Sequence, residues 1–384
     1  MKDKRHTQID RTWVFILLQI GVVIFAFTVG FLVHRLFFQY QGELGLLRQA
    51  RDLLLENSIL DIPDERTLQH GMIGGMLATL DDPYTYFVEP AGNEVQKDQL
   101  AGSYGGIGVQ LERDTQMNWR LFPLPDSPAL EAGLQAGDRL LKIDNLVVTT
   151  DMDPVNLVAA MRGPVGERLS LTVARKGETL TFRIERQTVP LPSVTHYILP
   201  EAPRIGMVLV NRIAETTAEE ITNAILDQKN QGAEAFIMDL RDNGGGLVEA
   251  GVAITRLFLS EGEILYQQFK GQPAEIFQVE EQGRFTEIPM VVLVNGNTAS
   301  SAEIIAGALH THQGARLVGS PTYGKTSIQF IYDLEDGSSI HVTSGRWWIP
   351  GVDFPLQPDV FIGEDPSGVL TLKTAIDILS KDLN

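Results

Sequence analysis

The stretch VVLVNGNTASSAEIIAGALHTHQGARLVGSPTYGKTSIQ, residues 291–329, places a strand, a turn and a helix in an order that favours an α/β fold. Four apolar residues typical of a buried strand come first, and a turn follows at Asn295-Gly296-Asn297. Four small residues, Thr298-Ala299-Ser300-Ser301, then precede a run with apolar residues at helical spacing. A serine at a helix start can meet free N–H groups of the first turn, so Ser300 is predicted to be a nucleophile.

Lys325 and Gln329, at the end of the same stretch, complete the predicted chemistry. A serine hydroxyl needs a base, and a lysine is a base only when burial lowers its pKa to about 7–8. Residues four apart on a strand share a face, so Gln329 is predicted to orient Lys325 without adding a charge. Two alternatives stay open: Ser301 is the nucleophile, or the serines only cap the helix.

Composition excludes several classes of function. The chain has 384 residues, no cysteine and a formal net charge of −18. Thiolate catalysis, disulfides and cysteine-ligated metals are therefore excluded, and the acidic charge argues against nucleic acid as a partner. His310 and His312 fall at a predicted helix end without a carboxylate cluster, so no metal is predicted there. We expect no cofactor.

The N-terminus departs from the acidic character of the rest of the chain. Basic residues in the first eleven positions precede an uncharged apolar run from Thr12 to Val33. As a helix this run would measure about 33 Å, enough to cross a bilayer. We expect a cytoplasmic tail over 1–11, an uncleaved transmembrane anchor over 12–36, and the remainder outside the cytoplasm at the cell membrane. A cleaved signal peptide is the alternative, and it also exports the remainder.

Residues 37–103 are predicted to form an N-terminal helical region. Leucine and methionine recur at helical spacing between positions 40 and 80. Asp82-Pro83-Tyr84-Thr85 then predicts a turn.

Residues 104–187 have a different pattern, with short strands, turns and a glycine-rich entry. This segment resembles a PDZ domain, and the resemblance implies that it captures a peptide C-terminus. Backbone N–H groups at Gly105, Gly106, Ile107 and Gly108 would hold the terminal carboxylate while the peptide pairs with the next strand. The alternative is that these glycines only permit a tight turn.

Residues 188–384 alternate strands and helices, which predicts a largely parallel sheet with ligands at the strand C-termini. Two loops fall at such strand ends, one at Asn295 and one at Arg241-Asp242-Asn243-Gly244-Gly245-Gly246. The glycines of the second loop let backbone N–H groups approach a ligand closely. Residues 261 to 288 are more polar and are predicted to form a hairpin or a surface excursion.

Three motifs in this order resemble the carboxyl-terminal processing peptidases, a family of serine endopeptidases with a Ser–Lys dyad and an embedded PDZ domain. The motifs are residues 239–246, residues 298–303 and residues 324–329, together with Leu80-Asp81-Asp82-Pro83-Tyr84 upstream. The resemblance implies an α/β fold: a parallel-rich peptidase core with an inserted β-rich PDZ domain, beside the N-terminal helical region and the anchor.

The resemblance also implies roles for individual residues. Ser300 falls on the family's nucleophile, Lys325 on its base and Gln329 on its glutamine, and backbone N–H groups of Gly245 and Ser301 would form the oxyanion hole. Arg162, at the end of the predicted PDZ helix, would couple peptide binding to the active site; the alternative is an ordinary surface arginine.

The predicted function is therefore a membrane-anchored serine endopeptidase that recognises substrate C-termini and cuts exported proteins. The competing hypothesis is a non-catalytic PDZ scaffold that tethers partners at the membrane. The partners expected are protein or peptide substrates and the membrane, and homo-oligomerisation is left open.

Overall fold

The computed structural model describes residues 11–363 and 365–383. The chain divides into two compact units, Met1–Gly71 and Met72–Asn384. Three helices occupy most of the described residues up to Ala78: α1 (Arg11–Glu43), α2 (Gly45–Asn57) and α3 (Glu65–Ala78), the last of which crosses the unit boundary. The predicted helical region over 37–103 also contains a strand and a further helix.

None of the helices formed by the described residues has both the length and the apolar character that a membrane crossing requires. The predicted anchor over residues 12–36 therefore lacks structural support. The predicted cytoplasmic tail lies outside the described residues, apart from Arg11.

In the second unit, a short strand and a helix follow the end of α3 and lead into the inserted domain. These are β1 (Tyr86–Val88) and α4 (Pro90–Ala101), and the turn predicted at Asp82 precedes them. Helix α4 has proline at its first position and ends at Gly102, whose φ of +75° suits glycine.

The inserted domain is built on an antiparallel six-stranded sheet in the order β3-β4-β5-β7-β8, with β6 beside β5. A two-stranded ladder of β2 and β9 joins the domain to the rest of the unit. The elements are β2 (Ser103–Gly106), β3 (Val109–Arg113), β4 (Trp119–Pro123), α5 (Pro128–Glu131), β5 (Asp138–Ile143), β6 (Leu146–Val147), α6 (Pro154–Met161), β7 (Arg168–Arg175), β8 (Glu178–Glu185) and β9 (Gln187–Pro190). Leu121, Leu157, Leu169 and Leu171 lie in its separate apolar core.

The segment that follows the inserted domain contains the predicted parallel sheet. Its strand order is β10-β11-β12-β15-β16-β19, in which every pairing is parallel except that of β10 with β11. The strands are β10 (Val194–Leu199), β11 (Ala202–Val210), β12 (Ala235–Asp239), β15 (Met290–Val294), β16 (Arg316–Gly319) and β19 (Val360–Phe361). All residues of β12 and β15 are buried, as expected of strands covered on both faces.

Helices cover both faces of this sheet. Helices α7 (Thr217–Asn230), α8 (Val248–Arg256) and α9 (Ser301–Ala308) contribute to the core cluster on one face, and α10 (Val369–Asp382) contributes to the cluster on the other. Helix α7 buries Ile221, Ala224, Ile225 and Gln228, the spacing of one helical face. A π-helical turn, Leu309–Gln313, extends α9 and contains His310 and His312.

A second sheet of this unit is antiparallel. It contains β13 (Glu263–Phe269), β14 (Glu275–Gln278), β17 (Ser327–Asp333) and β18 (Ser339–Trp348), together with β1. Residues predicted as a hairpin form the β13–β14 pair. Strand β17 pairs with β18 on one side, and β1 and β13 pair with β18 on its other side. The segment before β1 is thereby brought to the same sheet as Gln329.

Candidate active site

Ser300 stands on a tightly fixed turn between β15 and α9. Its φ is +56° and its ψ is −125°, a backbone conformation that non-glycine residues adopt rarely and at a cost in free energy. The turn is held by Thr298, whose Oγ donates to the Leu240 carbonyl at 2.8 Å and accepts from the Asn295 N–H at 2.9 Å. The side chain of Ser300 lines a cavity of about 520 Å³.

Ser301 lies next to Ser300 but is placed differently. It is fully buried, and a β-carbon added at Gly251 of α8 would come within 3.0 Å of the Ser301 β-carbon. Its hydroxyl is buried without a hydrogen-bond partner among the described residues. Ser300 lines the cavity and Ser301 packs against α8, so the geometry favours Ser300 as the nucleophile.

Lys325 and Gln329 line the same cavity as Ser300. The Lys325 Nζ donates to Gln329 Oε1 at 2.7 Å, and Gln329 Nε2 donates to the Tyr84 carbonyl at 3.0 Å. The amide of Gln329 is therefore oriented by the segment that precedes β1, which leaves its oxygen facing the lysine.

The reason given for this pairing from sequence was wrong in one respect. Lys325 does not lie on a strand, because β17 begins at Ser327. In addition, the register of β17 with β18 shifts between Ile328 and Gln329. The two side chains meet across a loop and a bulge rather than through the two-residue period of a strand.

The surroundings of Lys325 favour its neutral form. Burial lowers the pKa of Lys325 from its ordinary value, and the Asp82 carboxylate opposes this shift in part. His341 lines the same cavity and stacks on Tyr86, with ring centroids 4.5 Å apart. Burial and the charge of Lys325 lower the pKa of His341, so this imidazole adds no positive charge beside the lysine at neutral pH.

Glu303 is the main residue that the sequence analysis missed. Its fully buried carboxylate accepts from the N–H groups of Ser300 and Lys325 at 2.9 Å each, from Gly324 N–H at 2.7 Å and from the Thr322 hydroxyl at 2.6 Å. It therefore joins the nucleophile turn to the lysine loop. Burial raises the pKa of Glu303, and the four hydrogen bonds oppose that rise. A glutamate three residues after a helix-capping serine is a recognisable signal that could have identified it.

The glycine loop lies directly against the nucleophile. Gly245 has a φ of +95°, and a β-carbon there would come within 2.8 Å of the Ser300 β-carbon and 3.2 Å of the Ser301 nitrogen. Only glycine fits this approach. In this structure the Gly245 N–H donates to Asn243 Oδ1 at 2.9 Å. To serve in the predicted oxyanion hole, this N–H must leave Asn243 and donate to the oxyanion instead.

The glycine-rich entry of the inserted domain is partly strand. Gly105 and Gly106 belong to β2 and pair with β9, Ile107 is buried, and Gly108 has a φ of +68°. A β-carbon at Gly108 would meet the side chain of Ser127 at 2.5 Å, so the glycine is required sterically. Strand β3 follows at the edge of the domain's sheet, where an added peptide strand has an open partner.

Arg162 is not a surface arginine, so that alternative was wrong. Its side chain is 9% exposed and forms an ion pair with Asp98 of α4 at 2.5 Å. Its guanidinium also lies 4.4 Å from the centroid of the Tyr104 ring. Helix α4 lines the cavity of Ser300 and Lys325 through Gln96, Gln99 and Leu100, so Arg162 connects the inserted domain to a wall of that cavity.

A larger cavity of about 1090 Å³ lies at the carboxyl ends of the parallel strands. It contains Arg241, Asp242 and Asn295, as the predicted strand-end loops require, but Ser300, Lys325 and Gln329 are not among its lining residues. Arg241 is bonded to Asp239, with an Nη2–Oδ2 distance of 2.6 Å. We place the proposed chemistry in the smaller cavity, because it contains the serine and the partly buried lysine.

Comparison with known proteins identifies the family of the chain. Residues 204–361 match the sequence model of peptidase family S41, and residues 123–175 match a PDZ domain. A carboxyl-terminal-processing protease of Picosynechococcus is 34% identical over 327 residues, which cover 81% of this chain and 78% of that protein. The chain belongs to peptidase family S41. This is a family of serine proteases, and the inserted domain is a PDZ domain.

This chain is also similar to two further proteins, whose lengths it covers to different extents. The carboxy-terminal processing protease CtpA of Bacillus subtilis is 34% identical over 286 residues, which cover 74% of this chain and 60% of that protein. The chain therefore spans less than two thirds of this relative's length. A solved structure titled photosystem II D1 C-terminal processing protease is 28% identical, with a TM-score of 0.47, covering 85% of this chain and 89% of that one.

Proposed function

We propose that this S41 peptidase is an endopeptidase in which Ser300 attacks the peptide bond, Lys325 is the general base and Gln329 orients the base. The observation that carries the proposal is the 2.7 Å hydrogen bond from Lys325 Nζ to Gln329 Oε1 in the cavity that Ser300 lines. The neutral amide holds the lysine without the negative charge that would raise its pKa.

The reaction follows from the properties of these groups. Neutral Lys325 takes the proton of the Ser300 hydroxyl as the oxygen attacks the carbonyl carbon, and the resulting ammonium protonates the leaving amine. A water molecule then hydrolyses the acyl-enzyme with Lys325 again as base. The Ser301 N–H, at the start of α9, and the Gly245 N–H are the proposed donors to the oxyanion.

We propose that the PDZ domain captures substrate C-termini. The support is the open edge of β3 beside the glycine-rich segment from Gly105 to Gly108. Arg162, through Asp98 of α4, is the proposed connection between the occupied domain and the cavity. A substrate whose terminal carboxylate is amidated should bind more weakly than the free acid, whereas equal binding would contradict this part of the proposal.

We also propose that the chain is anchored in the cell membrane with its catalytic part outside the cytoplasm, where it acts on exported proteins. The support is the uncharged apolar run from Thr12 to Val33 behind a basic N-terminus. The full chain should stay with the membrane fraction in alkaline carbonate, and residues 40–384 should be released. Release of the full chain would contradict anchoring.

The catalytic proposal is tested by incubating purified residues 40–384 with a loosely folded protein that ends in an apolar tail. We expect degradation by the unmodified protein and none by Ser300→Ala. Ser301→Ala is the matched control and should keep its activity, because the Ser301 side chain packs against α8. Full activity of Ser300→Ala would refute the proposed nucleophile. Peptide binding without cleavage under any condition would favour the PDZ scaffold instead.

A further inference from the structure

The turn that precedes β1 is rigid and is attached to the second sheet. The Asp82 carboxylate accepts from the Tyr84 N–H at 3.1 Å and from the Thr85 hydroxyl at 2.7 Å. The same Thr85 hydroxyl accepts from the Thr343 N–H of β18 at 3.1 Å. The backbone of Tyr84 is therefore held directly by Asp82 and, through the neighbouring Thr85, by β18.

Tyr84 contacts the proposed base and its orienting group at the same time. Its carbonyl accepts from Gln329 Nε2 at 3.0 Å, and the centroid of its ring lies 4.8 Å from Lys325 Nζ. The backbone of Tyr84 therefore sets the direction of the Gln329 amide. Its ring covers one side of the amine that must lose a proton.

A third contact ties Tyr84 to the loop that carries the lysine. The Tyr84 and Tyr323 hydroxyls are hydrogen-bonded at 3.2 Å, and this bond raises the pKa of Tyr84 to about 12. The N–H of Tyr323 donates to the Thr298 carbonyl in the nucleophile turn at 2.9 Å. Residues more than 200 positions apart in sequence thus meet around one amine.

We propose that Tyr84 is a positioning residue for the lysine base: its carbonyl fixes Gln329 and its ring keeps water from one side of Lys325 Nζ. The proposal rests on Lys325 being the base. It assigns a chemical role to the turn before β1, which contributes no group to the reacting atoms.

Two opposing interactions decide how loss of the Tyr84 ring would change the pKa of Lys325. An aromatic face attracts an ammonium ion, which raises a lysine pKa, but exclusion of water disfavours the charged form and lowers it. Burial is the main cause of the lowered pKa of Lys325. The charged and titratable groups around the amine, Asp82, His341 and Glu303, remain when the ring is removed. We therefore expect loss of the ring to raise the pKa of Lys325.

The kinetic test compares Tyr84→Ala, Tyr84→Leu and Tyr84→Phe with the unmodified full chain. In Tyr84→Ala the acid limb of the kcat profile should move up by about one pH unit, which lowers kcat at neutral pH about tenfold. KM should change less than about twofold. Tyr84→Leu keeps apolar bulk and should show a smaller shift in the same direction. Tyr84→Phe keeps the ring and should leave the limb in place.

Tyr197→Ala is the matched control. Tyr197 is also a partly exposed tyrosine whose carbonyl accepts from a glutamine side chain, Gln228 Nε2 at 2.9 Å, but it lies on β10, in the other sheet. It should leave the acid limb unchanged. If Tyr84→Ala and Tyr84→Leu lower kcat at every pH without moving the limb, or move it down, Tyr84 is only structural and the proposal is overturned. If Tyr84→Ala does not fold, the result for Tyr84→Leu alone tests the proposal.

A measurement that does not depend on activity separates this proposal from the proposed function. The pKa of Lys325 can be followed by NMR of ¹³C-labelled lysine in Ser300→Ala, with the signal assigned through Lys325→Arg. Adding Tyr84→Leu should raise that pKa. An unchanged pKa would overturn the role of Tyr84 even if Lys325 is the base. Full activity of Lys325→Ala would instead overturn the proposed base.

Discussion

The Ser300 turn and the Lys325 loop differ in how they are held in place. Ser300 lies between a buried strand and a helix, in a turn held by nearby side chains such as Thr298. Lys325 lies outside any helix or strand, and its main chain and side chain are bonded to Glu303 and Gln329. The proposed nucleophile lies in a turn between consecutive elements, with one further hydrogen bond from Thr298 to the Leu240 carbonyl, whereas the proposed base is held by partners from α9, β17 and the turn before β1.

This difference has a physical cause. A nucleophile must be exposed at one point and otherwise rigid, which a strained turn between regular elements provides. A lysine base must be kept from water, and desolvation requires surroundings contributed by several segments. We therefore expect the lysine loop to respond more strongly than the serine turn to changes at distant residues.

The largest effect is expected from removal of the base itself. Lys325→Ala should lower kcat/KM by about 10⁴-fold or more, because the Ser300 hydroxyl then has no group to take its proton. Hydrolysis of a peptide substrate measures this loss. Lys229→Ala, at an exposed lysine in the last turn of α7, is the control and should keep full activity. Comparable losses in the two variants would contradict a specific role for Lys325.

Breaking the connection between the two regions should have the next largest effect. Glu303→Ala leaves the N–H groups of Ser300, Gly324 and Lys325 without their acceptor, at about 1–3 kcal/mol for each buried group. We expect kcat to fall about 100-fold or more and the urea midpoint of unfolding to decrease. Glu303→Gln keeps the size but exchanges one acceptor oxygen for a donor, so it should be intermediate. A loss of activity with unchanged stability in both variants would argue against this structural connection.

A charge placed beside the base should change its protonation without moving the serine. Gln329→Glu adds a carboxylate about 2.7 Å from the amine, which favours the ammonium form and raises the pKa of Lys325. Activity at neutral pH should fall about ten- to 100-fold and recover as pH rises. The pH–rate profiles of Gln329→Glu and Gln329→Met distinguish a raised pKa of Lys325 from simple loss of the hydrogen bond. Only Gln329→Glu should move the acid limb to higher pH.

The smallest effect concerns stability rather than activity. The folded protein lowers the pKa of Lys325, so between that pKa and the ordinary value of 10.5 the unfolded chain binds more protons than the folded one. Lys325 therefore destabilises the fold below its folded pKa, and this penalty diminishes as pH rises. Lys325→Met removes this penalty and should raise the free energy of unfolding at neutral pH. Urea titrations of both proteins at neutral pH and near pH 10 should show a smaller difference at the higher pH.

Much of the fold and the candidate site could be predicted from sequence where the signal is local. The apolar run at 291–294 predicted a buried strand, and the alternation of strands and helices over 188–384 predicted the largely parallel sheet. The small residues between strand and helix predicted the serine turn. Glycine at position 245 was predicted to allow a close approach, and its φ of +95° against Ser300 gives the reason.

Other features depended on contacts between distant segments. Sequence spacing could not separate Ser300 from Ser301, because the difference is the packing of Ser301 against Gly251 of α8. Nor could it show that Arg162 is buried against Asp98, or that the Gly245 N–H is bonded to Asn243.

The sequence by itself determined the candidate residues for the proposed chemistry, with Ser301 still an alternative to Ser300, and the order of strands and helices that bears them, because strand, turn and helix signals act over a few neighbouring residues. The tertiary structure decided how Lys325 is desolvated and positioned for the proposed role of base. Desolvation of Lys325, the orientation of Gln329 by Tyr84 and the four hydrogen bonds to Glu303 arise only when segments far apart in the chain exclude water from the same place.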